Sequence, residues 1–85
     1  MTRIKMGTYD RRYTRGYRFV EEDEFEKAIR ILQKIPEDYP DIADVYSLIA
    51  ISYRGLKRSD DALIYFEKAV IAAAWEWSHW CNLAN

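Results

Sequence analysis

The stretch ADVYSLIAISYRGLKRSDDALIYFEKAVIAAA, residues 43–74, decides the fold that this sequence predicts. Apolar residues in its first part recur at spacings of three and four, which places them on one face of an α-helix: Tyr46, Ile49, Ala50 and Tyr53. Gly55 predicts the end of that helix, because glycine readily takes the left-handed conformation that follows many helices. A second helix is expected to begin at Ser59 as its N-cap, with Asp60 and Asp61 in the first turn, where the helix dipole favours acids. The stretch therefore predicts two helices joined by a short turn.

The same pattern recurs at an offset of 34 residues, so that residues 43–76 can be laid over residues 9–42. Ala62 then falls on Ala28, and a third copy begins at Trp77. A period of this length is typical of stacked helix-turn-helix repeats rather than of a compact enzyme core. We therefore divide the single domain 1–85 into a basic leader (1–8), a first repeat (9–42), a second repeat (43–76) and a capping helix or partial third repeat (77–85).

In the first repeat we expect a helix over residues 9–20 and a second helix that buries Phe25, Ala28, Ile29, Leu32 and Ile35. Gly16 lies inside the first of these helices, where glycine costs about 1 kcal/mol relative to alanine. Its presence predicts that a neighbouring backbone packs closely against it. Pro36 and Pro40 are expected to end the second helix.

The end of the second repeat has two interpretations. No proline, glycine or asparagine lies between Phe66 and Trp80, and the alanines at 72–74 favour one uninterrupted helix. The repeat register instead places a turn near Trp75, where the first repeat has its prolines. We expect the turn, and hence about five helices in all.

The spacing of residues 43–74 resembles the signature of the tetratricopeptide repeat (TPR) family, here Tyr46, Ile49-Ala50, Tyr53, Ala62, Phe66 and Ala69. The resemblance implies an all-α fold in which antiparallel helix pairs stack as a short right-handed α-solenoid. It also implies a protein-binding scaffold without catalytic residues or an obligatory cofactor. In such a stack one face of each first helix lines a concave groove, and the partner-binding residues predicted on that face are Tyr13, Tyr17, Ser47, Ile51 and Arg54.

The C-terminal segment predicts a second binding surface, because three tryptophans lie within six residues: Trp75, Trp77 and Trp80. An exposed aromatic cluster of this kind usually marks an interface. Two functions remain open for it. One is the docking of a different protein, and the other is a homodimer formed through the C-terminal helix.

Charge is divided unevenly along the chain, although the net charge is only −1. Residues 1–20 are strongly basic and residues 21–44 strongly acidic, so the simplest interpretation is that the two blocks face one another. A nucleic-acid adaptor is the alternative, since cations and stackable rings interleave in the first helix: Arg11, Arg12, Tyr13, Arg15, Tyr17 and Arg18. The sequence pI of about 5.8 argues against a dedicated nucleic-acid binder.

The residues predict neither an enzyme nor a metal site. His79 and Cys81 are two positions apart on a predicted helix and therefore point to different faces, and two ligands do not make a structural zinc site. The longest apolar run, residues 69–75, is shorter than the roughly 20 residues of a membrane span. A single cysteine fits a reducing compartment, so we expect a cytoplasmic protein.

Overall fold

The computed structural model describes the backbone of residues 3–84 and the side chains of residues 10–74. This part of the chain forms four α-helices and no strand, and the helices are α1 (Arg3–Glu21), α2 (Phe25–Leu32), α3 (Ile42–Gly55) and α4 (Ser59–Ala84). The predicted all-α class is therefore confirmed. Each helix packs on the next one along the chain, and α1 also contacts α3.

The turns after α1 and α3 have the same backbone geometry, 34 positions apart. Asp23 and Lys57 each adopt a positive φ, 61° and 63°. The amide of the following residue donates to a carbonyl five positions earlier, Glu24 to Phe19 at 2.8 Å and Arg58 to Tyr53 at 2.9 Å. This is the Schellman arrangement, which satisfies carbonyl groups left without partners at a helix end. The sequence repeat is thus a repeat of backbone structure at the ends of these two helices.

Two local predictions about the second turn are wrong. Helix α3 ends at Gly55 as predicted, but the residue that takes the left-handed conformation is Lys57. Glycine is needed at the end of α3 for space, since a Cβ at Gly55 would overlap the ring of Phe25. The N-cap is also shifted, because the amide of Ala62 donates to the carbonyl of Arg58 at 3.0 Å and Ser59 already belongs to the first turn. Asp60 and Asp61 lie in that turn as predicted.

Gly16 allows α1 and α2 to approach closely. A Cβ at this position would lie 2.5 Å from the Cγ of Leu32, which is fully buried. The sequence predicted a backbone as the close neighbour, and the structure places a side chain there. The contact positions α1 so that Leu32 fills the space between α1 and the rest of the core.

The core lies mainly along α2 and α3. Its fully or almost fully buried apolar residues are Ala28, Leu32, Val45, Ile49 and Ala50. Burial of each large aliphatic side chain stabilises the fold by about 1.5–3 kcal/mol. Ile35 and Tyr39 extend this core into the segment between α2 and α3, so the chain remains packed after α2 ends at Leu32.

The predicted turn near Trp75 is wrong, because α4 continues without interruption from Ser59 to Ala84. The number of helices is therefore four instead of about five. The physical reason is local, since Ala72–Ala74 are strong helix formers and no helix-breaking residue follows them before position 80. Helix α1 likewise begins at Arg3, so the leader that we separated at residues 1–8 is largely helical. The side chains of Trp75, Trp77, Trp80, His79 and Cys81 lie outside the described residues.

Candidate interaction surfaces

The predicted groove residues of α1 differ in how available they are to a partner. Tyr13 is half-buried, and its ring centroid lies 6.4 Å from that of Tyr39, whose hydroxyl donates to the Asp10 carboxylate. Burial raises the pKa of Tyr13, and the nearby Asp44 carboxylate adds to this rise. Tyr17 is 49% exposed. Tyr13 therefore contributes mainly to packing, whereas Tyr17 is free to contact a partner.

The predicted groove residues of α3 show a similar division. The Ser47 hydroxyl donates to the Ala43 carbonyl at 3.1 Å, so it is used within its own helix. Ile51 is half-buried and Arg54 is exposed. Helices α1 and α3 are in contact. The predicted groove residues Tyr13 and Tyr17 of α1 and Ile51 and Arg54 of α3 therefore lie on two neighbouring helices.

The large apolar side chains with the greatest exposure in the described region lie on α4. Leu63, Ile64, Val70 and Ile71 are between 51% and 68% exposed. They form two pairs seven residues apart, and at about 100° per residue both pairs lie on one side of the helix with the exposed Glu67 between them. We call these five residues the α4 face. Sequence reasoning missed this surface, although the heptad spacing of the two apolar pairs was a visible signal.

A cleft of about 910 Å³ adjoins the α4 face and shares Ile71 with it. The cleft separates α4 from the segment 37–42, which contributes three carboxylates: Glu37, Asp38 and Asp41. The ammonium group of Lys68 lies over the rings of Tyr46 and Tyr65, at 5.8 Å and 5.0 Å from their centroids. Burial raises the pKa of Tyr46, with a further contribution from Glu37. This acidic cleft and the α4 face together form an apolar surface with a negative border.

A second charged surface lies where α1 and α2 meet. Two adjoining hollows of about 610 Å³ and 260 Å³ share Arg15 and Ile31. Their lining holds one carboxylate, Asp10, and seven cations, which we call the basic surface: Arg11, Arg12, Arg15, Arg18, Lys27, Arg30 and Lys34. Sequence reasoning identified the arginines of α1 but missed the cations that α2 adds to them.

The prediction that the basic and acidic blocks face one another does not describe this arrangement. Helix α2 turns its own cations, Lys27 and Arg30, toward the arginines of α1. Within residues 10–74 the described ion pairs are both local, Lys27 with Glu24 at 3.2 Å and Arg58 with Asp61 at 2.9 Å. The guanidinium of Arg12 donates to the carbonyl of Lys34 at 3.5 Å, which holds α1 to the end of α2.

The interleaving of arginines and tyrosines in the sequence does not persist on the surface. Tyr13 and Tyr17 are each two positions from Arg15, or about 200° around the helix. The arginine lines the basic surface, whereas Tyr13 packs against Tyr39 on another side of α1. The structure thus separates Arg15 from Tyr13 and Tyr17. Phe19 is the ring that lies beside the cations, with the Lys27 ammonium 6.0 Å from its centroid.

Among the described residues, no group of three histidine, cysteine or acidic side chains is placed to hold a metal ion. None of the helices in this part of the chain is sufficiently long and apolar to span a bilayer. Comparison of the chain with protein-family models, with curated proteins and with solved structures finds no match. The α4 face, the acidic cleft and the basic surface are therefore the features from which a function can be argued.

Proposed function

We propose that this chain is a non-enzymatic protein–protein interaction module, built from two TPR-like helix pairs, that binds a partner through the α4 face. The observation that carries the proposal is the α4 face itself, where four large apolar side chains are more than half exposed on one helix. Contiguous apolar surface of this kind marks interaction sites in small soluble domains. The recurring turn geometry at an offset of 34 residues supports the arrangement in helix pairs.

The chemistry of the surface defines the partner. Glu67 lies among the apolar side chains, and the carboxylates of the acidic cleft border the face near Ile71. A partner that covered the face with apolar groups alone would leave Glu67 buried without a counter-charge, which is costly. An amphipathic helix with cations beside its apolar stripe would cover both features, in the manner of a helix bound in a groove.

A homodimer formed through α4 is the second candidate. The two apolar pairs are symmetric about position 67, so an antiparallel pairing would place Leu63 and Ile64 of one copy over Val70 and Ile71 of the other. The same two-fold pairing would bring the two Glu67 carboxylates together, and like charges at an interface are unfavourable. The spacing therefore favours this dimer, and the central charge disfavours it.

Peptide binding tests the main proposal. The probe is a fluorescent helical peptide of about eighteen residues, long enough to follow four turns of α4, with a leucine stripe flanked by lysines. A second peptide carries glutamates in place of the lysines. We expect the lysine peptide to bind more tightly, and Glu67→Lys to weaken it about tenfold through loss of the central charge contact.

Glu22→Lys is the matched control, since Glu22 is an exposed residue of the turn between α1 and α2 and the charge change is the same. It should leave the affinity unchanged. Equal binding of the two peptides, or equal losses in the two variants, would contradict the proposal. A discrete dimer that forms without peptide and is strengthened by Glu67→Leu would instead establish the two-fold homodimer.

The role predicted for the C-terminal tryptophans stays a prediction. Trp77→Ala is expected to weaken binding while the helix content by circular dichroism remains nearly the same. Loss of folding in this variant would assign Trp77 to the core and remove it from the interface.

A further inference from the structure

The basic surface and the α4 face share no residue, and we infer that the partner of the α4 face is the basic surface of a second copy of this chain. Copies would then associate head to tail. The inference rests on the proposed function, because it names the cationic partner that the α4 face requires. One small domain carries both halves of the contact.

The positions of the two surfaces follow from the helix register. On α2, Ile29 is buried on the side where α2 meets α3, whereas Ile31 lines the basic surface and lies about 200° around the helix from Ile29. On α4, Ala69 is buried where the helix packs on α3, and Glu67 is exposed about 200° away. The floor of the basic surface at Ile31 and the α4 face at Glu67 therefore both lie on sides of their helices that point away from α3.

The two surfaces are complementary in charge. Within residues 10–74, no ion pair is described for Arg15, Arg18 or Arg30, so their guanidinium groups are available to carboxylates of another molecule. The α4 face offers Glu67, and the acidic cleft adjoins it at Ile71. Arginine is suited to this role because its planar fork can donate two parallel hydrogen bonds to one carboxylate.

The surfaces also match in their apolar parts. Ile31 lies in the floor of both hollows, and the half-buried Phe19 lies beside it. Aliphatic stems of the surrounding arginines add apolar area while their charged ends remain at the edge. Leu63 and Val70 would cover this floor when Glu67 meets the arginines.

Only the head-to-tail arrangement brings opposite charges together. A two-fold pairing of α4 faces brings Glu67 against Glu67, and a two-fold pairing of basic surfaces brings arginines against arginines. In a head-to-tail dimer, one copy still has a free basic surface and the other still has a free α4 face. Further copies can therefore add, and assembly continues to longer species or a ring. This gives it a signature that a two-fold dimer lacks.

Light scattering after size-exclusion chromatography is the first test, over a roughly hundredfold range of concentration and at low and high salt. We expect the mean mass to rise from the 10.2 kDa of one chain without stopping at twice that value. High salt should reverse the rise, because a Debye length of about 3 Å at 1 M salt screens charge contacts. A monomer at all concentrations in low salt would overturn the inference, and so would a mass that stops at twice one chain.

Complementary variants give the decisive test. Arg15→Gln with Arg30→Gln disables the basic surface and leaves the α4 face intact, whereas Glu67→Lys disables the α4 face and leaves the basic surface intact. The neutral glutamines offer no counter-charge to the introduced lysine in the mixture. Each variant alone should remain monomeric. An equimolar mixture should form a dimer and nothing larger, since each pair retains one working contact. A mixture that remains monomeric would overturn the inference.

Controls keep both tests interpretable. Lys57→Glu reverses one charge on an exposed turn residue away from both surfaces and should assemble as the wild type does. A wild-type chain that stays monomeric but still binds the leucine–lysine peptide would overturn head-to-tail assembly alone. Failure of both experiments would remove the proposed function as well.

Discussion

The two helix pairs share one backbone design and differ in what they present outward. Turns that follow α1 and α3 use the same hydrogen bonds, with a left-handed residue at Asp23 in the first pair and Lys57 in the second. Outward from these turns, the first pair presents the basic surface and the second presents the α4 face. The two pairs thus share the geometry of their turns, whereas their exposed positions carry opposite chemistries.

Equivalent core positions provide the strongest test of this comparison. Leu32→Ala is expected to lower the free energy of unfolding by about 2–5 kcal/mol, because the side chain is fully buried and would leave a cavity. Phe66, 34 positions later, is only half-buried, so Phe66→Ala should cost less despite its larger side chain. Urea unfolding followed by circular dichroism measures both. A greater loss at Phe66 would mean that the second pair, and not the first, holds the central packing.

Gly16 and its equivalent Ala50 provide the next test. Gly16→Ala should destabilise the fold by about 1 kcal/mol, since overpacking against Leu32 costs about 1–3 kcal/mol and helix propensity returns about 1 kcal/mol. Ala50→Gly should cost about 2 kcal/mol, because helix propensity loses about 1 kcal/mol and loss of the fully buried methyl group adds about 0.8 kcal/mol. If Gly16→Ala is stabilising in thermal unfolding, the close approach of α1 and α2 is not a constraint on the fold.

Tyr39 joins the segment after α2 to α1, because its hydroxyl donates to the Asp10 carboxylate. The second pair lacks this contact, since the equivalent position holds Ala73. Burial and the bond to Asp10 raise the pKa of Tyr39 above the ordinary value of 10. Because the folded state holds this proton more tightly, the resulting stability is complete below pH 10 and is lost as the pH rises further.

We therefore expect Tyr39→Phe to cost about 1 kcal/mol at neutral pH through the lost hydrogen bond. It should also reduce the loss of stability above pH 10, which is measured by urea unfolding at a series of alkaline pH values. An unchanged alkaline dependence in the variant would assign the effect to the half-buried tyrosines whose pKa is also raised, Tyr13 and Tyr46.

The two left-handed turn residues should give the smallest effects. Lys57→Gly is expected to stabilise the fold by about 0.5 kcal/mol. Glycine avoids the roughly 1–2 kcal/mol that a side chain costs in the left-handed conformation, but it loses more backbone entropy on folding, which offsets part of this gain. Asp23→Gly should stabilise less, since aspartate tolerates this conformation better than lysine. A larger gain at Asp23 would show that the two turns are not equivalent.

The sequence predicted the features that depend on local periodicity, and it could not predict those that depend on residues distant in sequence but close in space. The apolar spacing around Ile49 and the offset of 34 residues predicted the helices and the turns between them. Gly55 misled, because the same residue serves a left-handed turn or a close approach, and only the position of Phe25 distinguishes these roles. Repeat register predicted a break near Trp75, whereas the local propensity of the alanines before it determined the helix.

The candidate surfaces were harder to predict than the helices. The arginines of α1 were visible in the sequence, but their clustering with Arg30 and Lys34 depends on how α2 packs beside them. Val70 and Ile71 look like ordinary core residues in the sequence. Their exposure follows from the fact that α4 packs on α3 alone among the described helices, which leaves its opposite side uncovered.

The order in which the helices pack has a consequence for how the chain folds. Every main contact joins helices adjacent in sequence, with α1 and α3 as the only other pair described. Loops between contacting residues are therefore short, and a low contact order is associated with folding in microseconds to milliseconds. Each helix pair can form around its own turn before the two pairs dock. We expect temperature-jump relaxation in that range. Because neither pair has many contacts between residues distant in sequence, the unfolding of one pair should also destabilise the other.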